Sequence, residues 1–363
     1  MEAAVQPRAG LASIKPYEAG EAKIDGLDSV IKLSSNESPF GPGPAARDSL
    51  RNAWDGLGRY PSSDHAALRQ AIQKIHGFDA HRIVCGAGSD EILGLLAQAF
   101  CEPSAEVVYT RHGFLMYPIF ARAVGAVPIQ AEEPERKIDV GAILDVCTAR
   151  TRLVYLANPS NPTGNMLADD DLVKLADSLD SNMILVVDGA YAEFAGDHDM
   201  AARLAETRHN VVVTRTFSKI HGLAALRIGY GYGPPDIIDA VARIRAPFNV
   251  SGPAQMAATA AVGDIEHVLF CQQHNERWRH WLRLKLCDAG LAVDESLTNF
   301  VLARFAGDTE ADECDRWLRS CGIIVRKMAG YQLGDCLRIS IGSESACRAV
   351  AASITDFIAH YRT

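Results

Sequence analysis

Residues 214–227 read Thr-Arg-Thr-Phe-Ser-Lys-Ile-His-Gly-Leu-Ala-Ala-Leu-Arg, which sets Lys219 among small hydroxyls with an arginine eight positions on. A lysine ammonium is ordinarily a solvated, strongly basic cation. Beside another cation and away from water its pKa falls, and the free amine becomes a nucleophile. Such an amine forms a Schiff base with an aldehyde. Thr216, Ser218 and Arg227 next to it can cradle a phosphate, the guanidinium gripping two oxygens at once. An aldehyde that also carries a phosphate points to pyridoxal 5′-phosphate.

Other positions fit the same chemistry. Asp188 closes the apolar run 183–187. A carboxylate there can keep a pyridine nitrogen protonated, as that cofactor requires; taken alone, Asp-Gly is equally a turn or cap. Residues 83–85 are a short apolar run leading into Gly86-Ala87-Gly88-Ser89. Glycines at a strand-to-helix turn bring backbone N–H groups and the positive end of a helix to one point, an anion site. Gly88 and Ser89 are the expected contacts. Arg338 interrupts an otherwise apolar strand, where a charge needs a partner, and Arg326 ends another short apolar run.

Asn158-Pro159-Ser160-Asn161-Pro162-Thr163-Gly164, then Val186-Val187-Asp188-Gly189-Ala190-Tyr191, then the lysine stretch follow in that order. The ordered set is more specific than any one member. From about residue 17 to about residue 342 it resembles the fold-type I aminotransferases, and within them the histidinol-phosphate aminotransferase family. The resemblance implies that Lys219 holds pyridoxal 5′-phosphate and then moves the substrate's α-proton. It implies that Asp188 faces the ring nitrogen, while Asn161 and Tyr191 bond the ring's phenolic oxygen. Phe114 stands where the family usually has a tyrosine stacked on the ring, so stacking can survive without the hydroxyl. Tyr60, in Arg59-Tyr60-Pro61, matches a tyrosine that crosses a homodimer interface to the neighbour's cofactor phosphate. Tyr17 of a Pro-Tyr pair, Asn36 in the loop Asn36-Glu37-Ser38-Pro39-Phe40-Gly41-Pro42, Arg326 and Arg338 match substrate-binding positions.

The implied reaction moves an amino group between L-histidinol phosphate and 2-oxoglutarate, giving imidazole acetol phosphate and glutamate, in histidine biosynthesis. An aromatic amino-acid aminotransferase is a rival, since phenylalanine, tyrosine and imidazole side chains suit one apolar pocket. Threonine-phosphate decarboxylase shares the fold and binds a phosphate. A non-catalytic, cofactor-binding regulator would need a DNA-binding segment, for which the chain has neither room nor a basic patch.

To gather these residues the chain needs a particular frame. Apolar runs at 83–85, 107–109, 124–128, 153–156, 183–187 and 211–213 alternate with helical lengths such as 45–54, 64–76 (with Asp64 as cap) and 140–147. That alternation predicts an α/β fold with a mostly parallel sheet covered on both faces; the resemblance makes it a seven-stranded one. Ligands of such sheets sit beyond the carboxyl ends of the strands, and Asn161, Asp188 and Lys219 each lie just past one. Residues 41–245 form the expected large cofactor-binding domain. Residues 1–40 and 246–363 form a small α+β domain with an N-terminal arm over 1–30. In the latter, helices at 252–263 and 265–289 precede strands at 299–305 and 336–341. Leu269, Trp278, Trp281, Leu282 and Leu284 are expected to line one buried stripe.

Bulk properties narrow the partners. The chain has 363 residues, 48% of them hydrophobic, enough for a large core in two domains. A net charge of −9 without a basic block argues against nucleic-acid or anionic-membrane binding. No apolar run approaches the ~20 residues of a membrane helix, and the N-terminus lacks a signal pattern, so a cytoplasmic enzyme is expected. Nine cysteines at irregular spacing, with no Cys-x-x-Cys, suit buried reduced thiols. Eleven histidines show no ligand spacing, and no metal is expected.

Overall fold

The first eight strands are β1 (Ile31–Lys32), β2 (Ile83–Gly86), β3 (Glu106–Thr110), β4 (Val127–Ala131), β5 (Thr151–Ala157), β6 (Ile184–Asp188), β7 (Val211–Thr216) and β8 (Gly229–Tyr232). All but β1 form one seven-stranded sheet in the order β2-β8-β7-β6-β5-β3-β4. Only β8 is antiparallel to its neighbours; the remaining adjacent pairs are parallel. These coordinates are a computed structural model, which describes residues 5–7, 10–18, 20–196 and 199–362. Of the expected N-terminal arm, residues 1–4, 8, 9 and 19 lie outside the described residues.

The near-continuous apolar runs follow from burial on both faces. Every residue of β6 and β7 is buried, and successive residues point to opposite sides. Val211 and Val213 join a core with Leu172 and Leu175 of the helix Asp169–Ser178. Val212 joins a second core with Ile92, Leu96 and Tyr117. The helix Gly252–Val262 packs into the first core through Ala254, Ala257, Ala258 and Ala261.

The remaining strands are β9 (Ala292–Val293), β10 (Phe300–Arg304), β11 (Ile323–Ile324), β12 (Arg326–Lys327) and β13 (Cys336–Ser340). Four of them make an antiparallel sheet ordered β12-β13-β10-β9. β1 pairs in parallel with β11 as a separate two-stranded sheet, and the Ser340 N–H of β13 donates to the Leu33 carbonyl at 3.0 Å, which ties the loop after β1 to the second sheet.

Three expectations are corrected. No strand spans 124–128: the helix Met116–Val124 ends at Gly125 (φ +85°), and β4 starts only at Val127. A left-handed glycine ends a helix at no steric cost. On the helix Ile265–Asp288 the buried stripe runs through Cys271, Asn275, Trp278, Leu282 and Leu286. Leu269 and Leu284 fall on the other side and are 49% and 43% exposed, while Trp281 is half-buried. The helix expected from Asp64 begins at Ala66 with His65 as its left-handed cap; Asp64 instead accepts the Ala66 N–H at 3.1 Å.

Candidate active site

The strands β2, β3, β5, β6 and β7 run in the same direction, so their carboxyl ends share one edge of the sheet. Asp188 is the last residue of β6 and Thr216 the last of β7. Phe114 and Asn161 follow β3 and β5 by four residues, and Ser89 opens the helix Ser89–Phe100 after β2. A cavity of about 240 Å³ lies at this edge, and all five residues line it together with Lys219. Tyr17, Asn36, Tyr191, Ser218, Arg227, Arg326 and Arg338 line it as well.

Lys219 sits on a turn just after β7. The turn is closed by the Gly222 N–H to the Lys219 carbonyl at 3.0 Å. Gly222 has φ +68°, and a Cβ there would run into the Gly41 backbone, so a glycine lets the 36–44 loop lie against the lysine turn. Lys219 Nζ donates to the Ser35 carbonyl at 3.3 Å and lies 5.8 Å from the centroid of the Tyr191 ring. The side chain as a whole is half-buried, yet loss of hydration at the amine dominates its basicity. With the Arg338 charge acting in the same direction against Asp90 and Glu37, it brings the pKa down to about 8.

At one end of the cavity several donors converge. Gly88 caps the helix Ser89–Phe100 at φ +83°, and a Cβ there would meet the Arg227 guanidinium. Arg227 Nη1 donates to Ser218 Oγ at 3.1 Å, and Nη2 to Asp90 Oδ2 at 3.3 Å. The Ser218 N–H donates to Thr216 Oγ1 at 3.1 Å. Hydroxyls, a guanidinium and a helix N-terminus together make an anion cup.

Asp188 is buried and receives two hydroxyl donors, Tyr117 at 2.9 Å on Oδ2 and Thr214 at 3.1 Å on Oδ1. Burial raises its pKa, and the Tyr117 hydrogen bond opposes the rise. Tyr117 is fully buried and stacks on Tyr155 at 4.9 Å and 11°. The Tyr155 hydroxyl is in turn anchored on the Leu93 carbonyl at 2.7 Å. Sequence reasoning passed over Tyr117 and Thr214. The available signal was a tyrosine inside an apolar helical stretch, whose hydroxyl must find a partner once buried.

The opposite wall is largely polar. Arg338 donates from Nη1 to Asn161 Oδ1 at 2.5 Å and from Nη2 to the Ser34 carbonyl at 3.1 Å. Its guanidinium lies over the Phe300 ring at 5.2 Å, and its Nε is buried with no protein partner. Asn36 Nδ2 donates to the Tyr191 hydroxyl at 2.8 Å. Arg326 Nη2 donates to the Glu18 carbonyl at 2.6 Å, and Tyr17 meets Phe114 edge-on at 6.1 Å. Tyr60 does not line this cavity within a single chain. It is 82% exposed and stacks on Phe248 at 4.6 Å.

A weakly basic amine, a buried carboxylate and an anion cup at the carboxyl edge of a seven-stranded sheet define a fold-type I pyridoxal-phosphate-dependent transferase. The sequence matches the family described as Aminotransferase class I and II over residues 28–354, and the chain belongs to it. It is 52% identical over 353 residues to a histidinol-phosphate aminotransferase of Ruegeria sp. (strain TM1040), covering 97% of this chain and 98% of that one. A histidinol-phosphate aminotransferase of Cereibacter sphaeroides (strain KD131 / KCTC 12085) is 52% identical over 357 residues, 98% and 99% of the two chains. Among solved structures, the histidinol-phosphate aminotransferase of Sinorhizobium meliloti in complex with pyridoxal 5′-phosphate superimposes with a TM-score of 0.87. It is 29% identical and 92% of each chain is covered.

Proposed function

We propose that this chain is the aminotransferase that moves an amino group between L-histidinol phosphate and 2-oxoglutarate in histidine biosynthesis, using pyridoxal 5′-phosphate. The observation that carries the substrate reading is that Arg326 and Arg338 line the cavity that holds Lys219. Histidinol phosphate has no carboxylate. Its phosphate presents three acceptor oxygens, and one guanidinium satisfies at most two with good geometry. Two guanidiniums, with the Tyr17 hydroxyl as a neutral donor, suit a phosphate; Arg338 alone suits the carboxylate of glutamate.

The residues present fit the cofactor. Lys219 offers an amine of lowered basicity, and the cup of Gly88, Ser89, Thr216, Ser218 and Arg227 suits its phosphate. Asp188 would hold the ring nitrogen, Asn161 and Tyr191 the phenolic oxygen, and Phe114 a ring face. When bound, the cofactor supplies an electron sink for the substrate's α-carbon. Lys219 Nζ would hold the cofactor and, when not bound to it, could carry the substrate's α-proton. A pKa of about 8 lets one amine both take and give that proton near neutrality. Burial raises the Asp188 pKa and its hydroxyl donors oppose the rise; a protonated ring nitrogen beside it would favour the carboxylate.

The same reading includes a homodimer in which Tyr60 serves the neighbour's phosphate cup. Its support is an exposed apolar group: Tyr60, Trp54, Leu57 and Phe248 are 82%, 75%, 54% and 40% exposed. No helix among the described residues is long and apolar enough to cross a membrane. A cytoplasmic enzyme without a nucleic-acid partner suits the net charge of −9.

Single-turnover assays with histidinol phosphate, phenylalanine, tyrosine and threonine phosphate test the substrate assignment. Histidinol phosphate should react fastest. The edge-on Tyr17–Phe114 pair favours one secondary reading, slower transamination of phenylalanine and tyrosine. Faster turnover of an aromatic amino acid, or release of carbon dioxide from threonine phosphate, would overturn the histidinol-phosphate assignment.

A further inference from the structure

Asn36 lines the cavity, and both ends of its amide are engaged within the protein. The residue is buried and has φ +55°. Its backbone N–H donates to Ser340 Oγ at 2.9 Å, and Ser340 Oγ donates to Asn36 Oδ1 at 2.9 Å. Its carbonyl accepts from Asn299 Nδ2 at 2.9 Å. The two ends of an amide are told apart by their hydrogen-bond network, and here the network decides. Ser340 Oγ accepts the backbone N–H, and its own proton has a partner when the Asn36 side chain presents oxygen to it; a reversed amide would leave that proton without one among the hydrogen bonds of the described residues. The amide nitrogen therefore faces Tyr191, at 2.8 Å from the hydroxyl.

An amide nitrogen donates and cannot accept. One lone pair of the Tyr191 oxygen is thus occupied, and the tyrosine's own proton must point elsewhere. Tyr191 lines the cavity, and its ring is fixed edge-on to Phe300 at 5.3 Å and 88°. The charged groups acting on the phenol are Arg338, Asp188 and Asp90, and Lys219 Nζ lies 5.8 Å from the ring centroid. A phenol that accepts a hydrogen bond also donates more strongly, because chained hydrogen bonds polarise one another.

We infer that Asn36 is a positioning residue: it holds the Tyr191 hydroxyl as a donor aimed into the cavity at the cofactor's phenolic oxygen. The inference rests on the proposed role of Tyr191. Its consequence is electrostatic. A fixed donor stabilises negative charge on that oxygen and lowers the pH at which the lysine–cofactor linkage gives up its proton.

The test titrates the absorbance of the bound cofactor with pH in the holoenzyme. Asn36→Gly keeps the left-handed backbone and both main-chain hydrogen bonds while removing the amide. It should raise the midpoint by about half a pH unit to one unit, and Tyr191→Phe by about one to two units. The double variant should titrate where Tyr191→Phe alone does, since the amide acts only through the hydroxyl. Fluorescence titration of apoenzyme with pyridoxal 5′-phosphate should show the same pattern, several-fold weaker binding in Asn36→Gly and no added loss in the double variant.

An unmoved midpoint in Asn36→Gly, or a shift that persists on top of Tyr191→Phe, overturns the inference and leaves the role of Tyr191 standing. So does a raised KM for histidinol phosphate at an unchanged midpoint, which would make Asn36 a substrate contact. A Tyr191→Phe variant that titrates like wild type overturns the reading of Tyr191 and the inference with it. Should Asn36→Gly fail to fold, Ser340→Ala removes the group that orients the amide. It should give a smaller upward shift that vanishes in the Tyr191→Phe background; an unmoved midpoint there overturns the inference too.

Discussion

The Tyr117 hydroxyl donates to Asp188 Oδ2 at 2.9 Å, joining the helix after β3 to the last residue of β6. With Thr214 on the other oxygen, it opposes the rise in pKa that burial imposes on this carboxyl, which lines the cavity. A hydrogen bond to a charged group contributes roughly 1.5–3 kcal/mol, so this carboxylate depends on its two donors.

Asp188→Ala should therefore keep the fold and much of the cofactor, because the phosphate cup is untouched, yet lose several orders of magnitude in single-turnover rate. A rate within tenfold of wild type, about 1.4 kcal/mol, would reduce Asp188 to a strand cap. Tyr117→Phe removes one donor of two and should slow the same step by about tenfold, with a pH profile displaced from wild type.

Lys219 carries a pH signature. With a pKa of about 8, about a tenth of the amine is neutral at pH 7, against roughly three in ten thousand for an ordinary lysine. Only the neutral amine attacks an aldehyde, and its fraction grows as pH rises. The rate of cofactor attachment to apoenzyme should climb about tenfold per unit below pH 8 and level off above it. Borohydride reduction followed by peptide mapping should then find the cofactor on Lys219; recovery on another lysine would refute the assignment.

Tyr60 stands clear of its own chain's cavity. Lys219→Ala and Tyr60→Ala are each expected to be inactive as pure dimers. Mixed, they should form hybrids in which one site has an intact Lys219 and receives an intact Tyr60 from the other subunit, and activity should partly return. No recovery despite demonstrated subunit exchange would exclude action across the interface.

Arg326 separates phosphate from carboxylate binding. Arg326→Ala should lower kcat/KM for histidinol phosphate by about 10- to 150-fold, with a much smaller effect on phenylalanine if that substrate is used. Equal losses on both would make the residue a general support of the pocket. No loss on either would leave it with only its bond to the Glu18 carbonyl.

The frame of the large sheet could be read from the chain because burial on both faces leaves a local mark. Val211-Val212-Val213 and Ile184-Leu185-Val186-Val187 are apolar at every position, and each side chain meets a core. The site residues that end such runs, Asp188 and Lys219, were legible for the same reason: a charge placed just past a buried strand stands out. Errors fell where one residue changes the meaning of its neighbours. Gly125 separates a helix end from a strand start inside an apolar stretch, and the helix Ile265–Asp288 places Leu269 and Leu284 toward the exposed side.

What could be read from the sequence alone was thus the succession of buried strands and the lysine, the aspartate and the glycine turn that end or follow them, all properties of short windows. The hydrogen bonds that tune those groups belong to the tertiary structure. Asn36 meets Tyr191 from 155 positions away and Ser340 from 304, and Tyr117 meets Asp188 from 71. The β1–β11 pairing and the Ser340–Leu33 bond carry Asn36 to β13, while Tyr117 and Asp188 meet because β3, β5 and β6 are neighbours in one sheet. A polar side chain's role is set by whichever partner burial forces upon it, and packing alone chooses that partner.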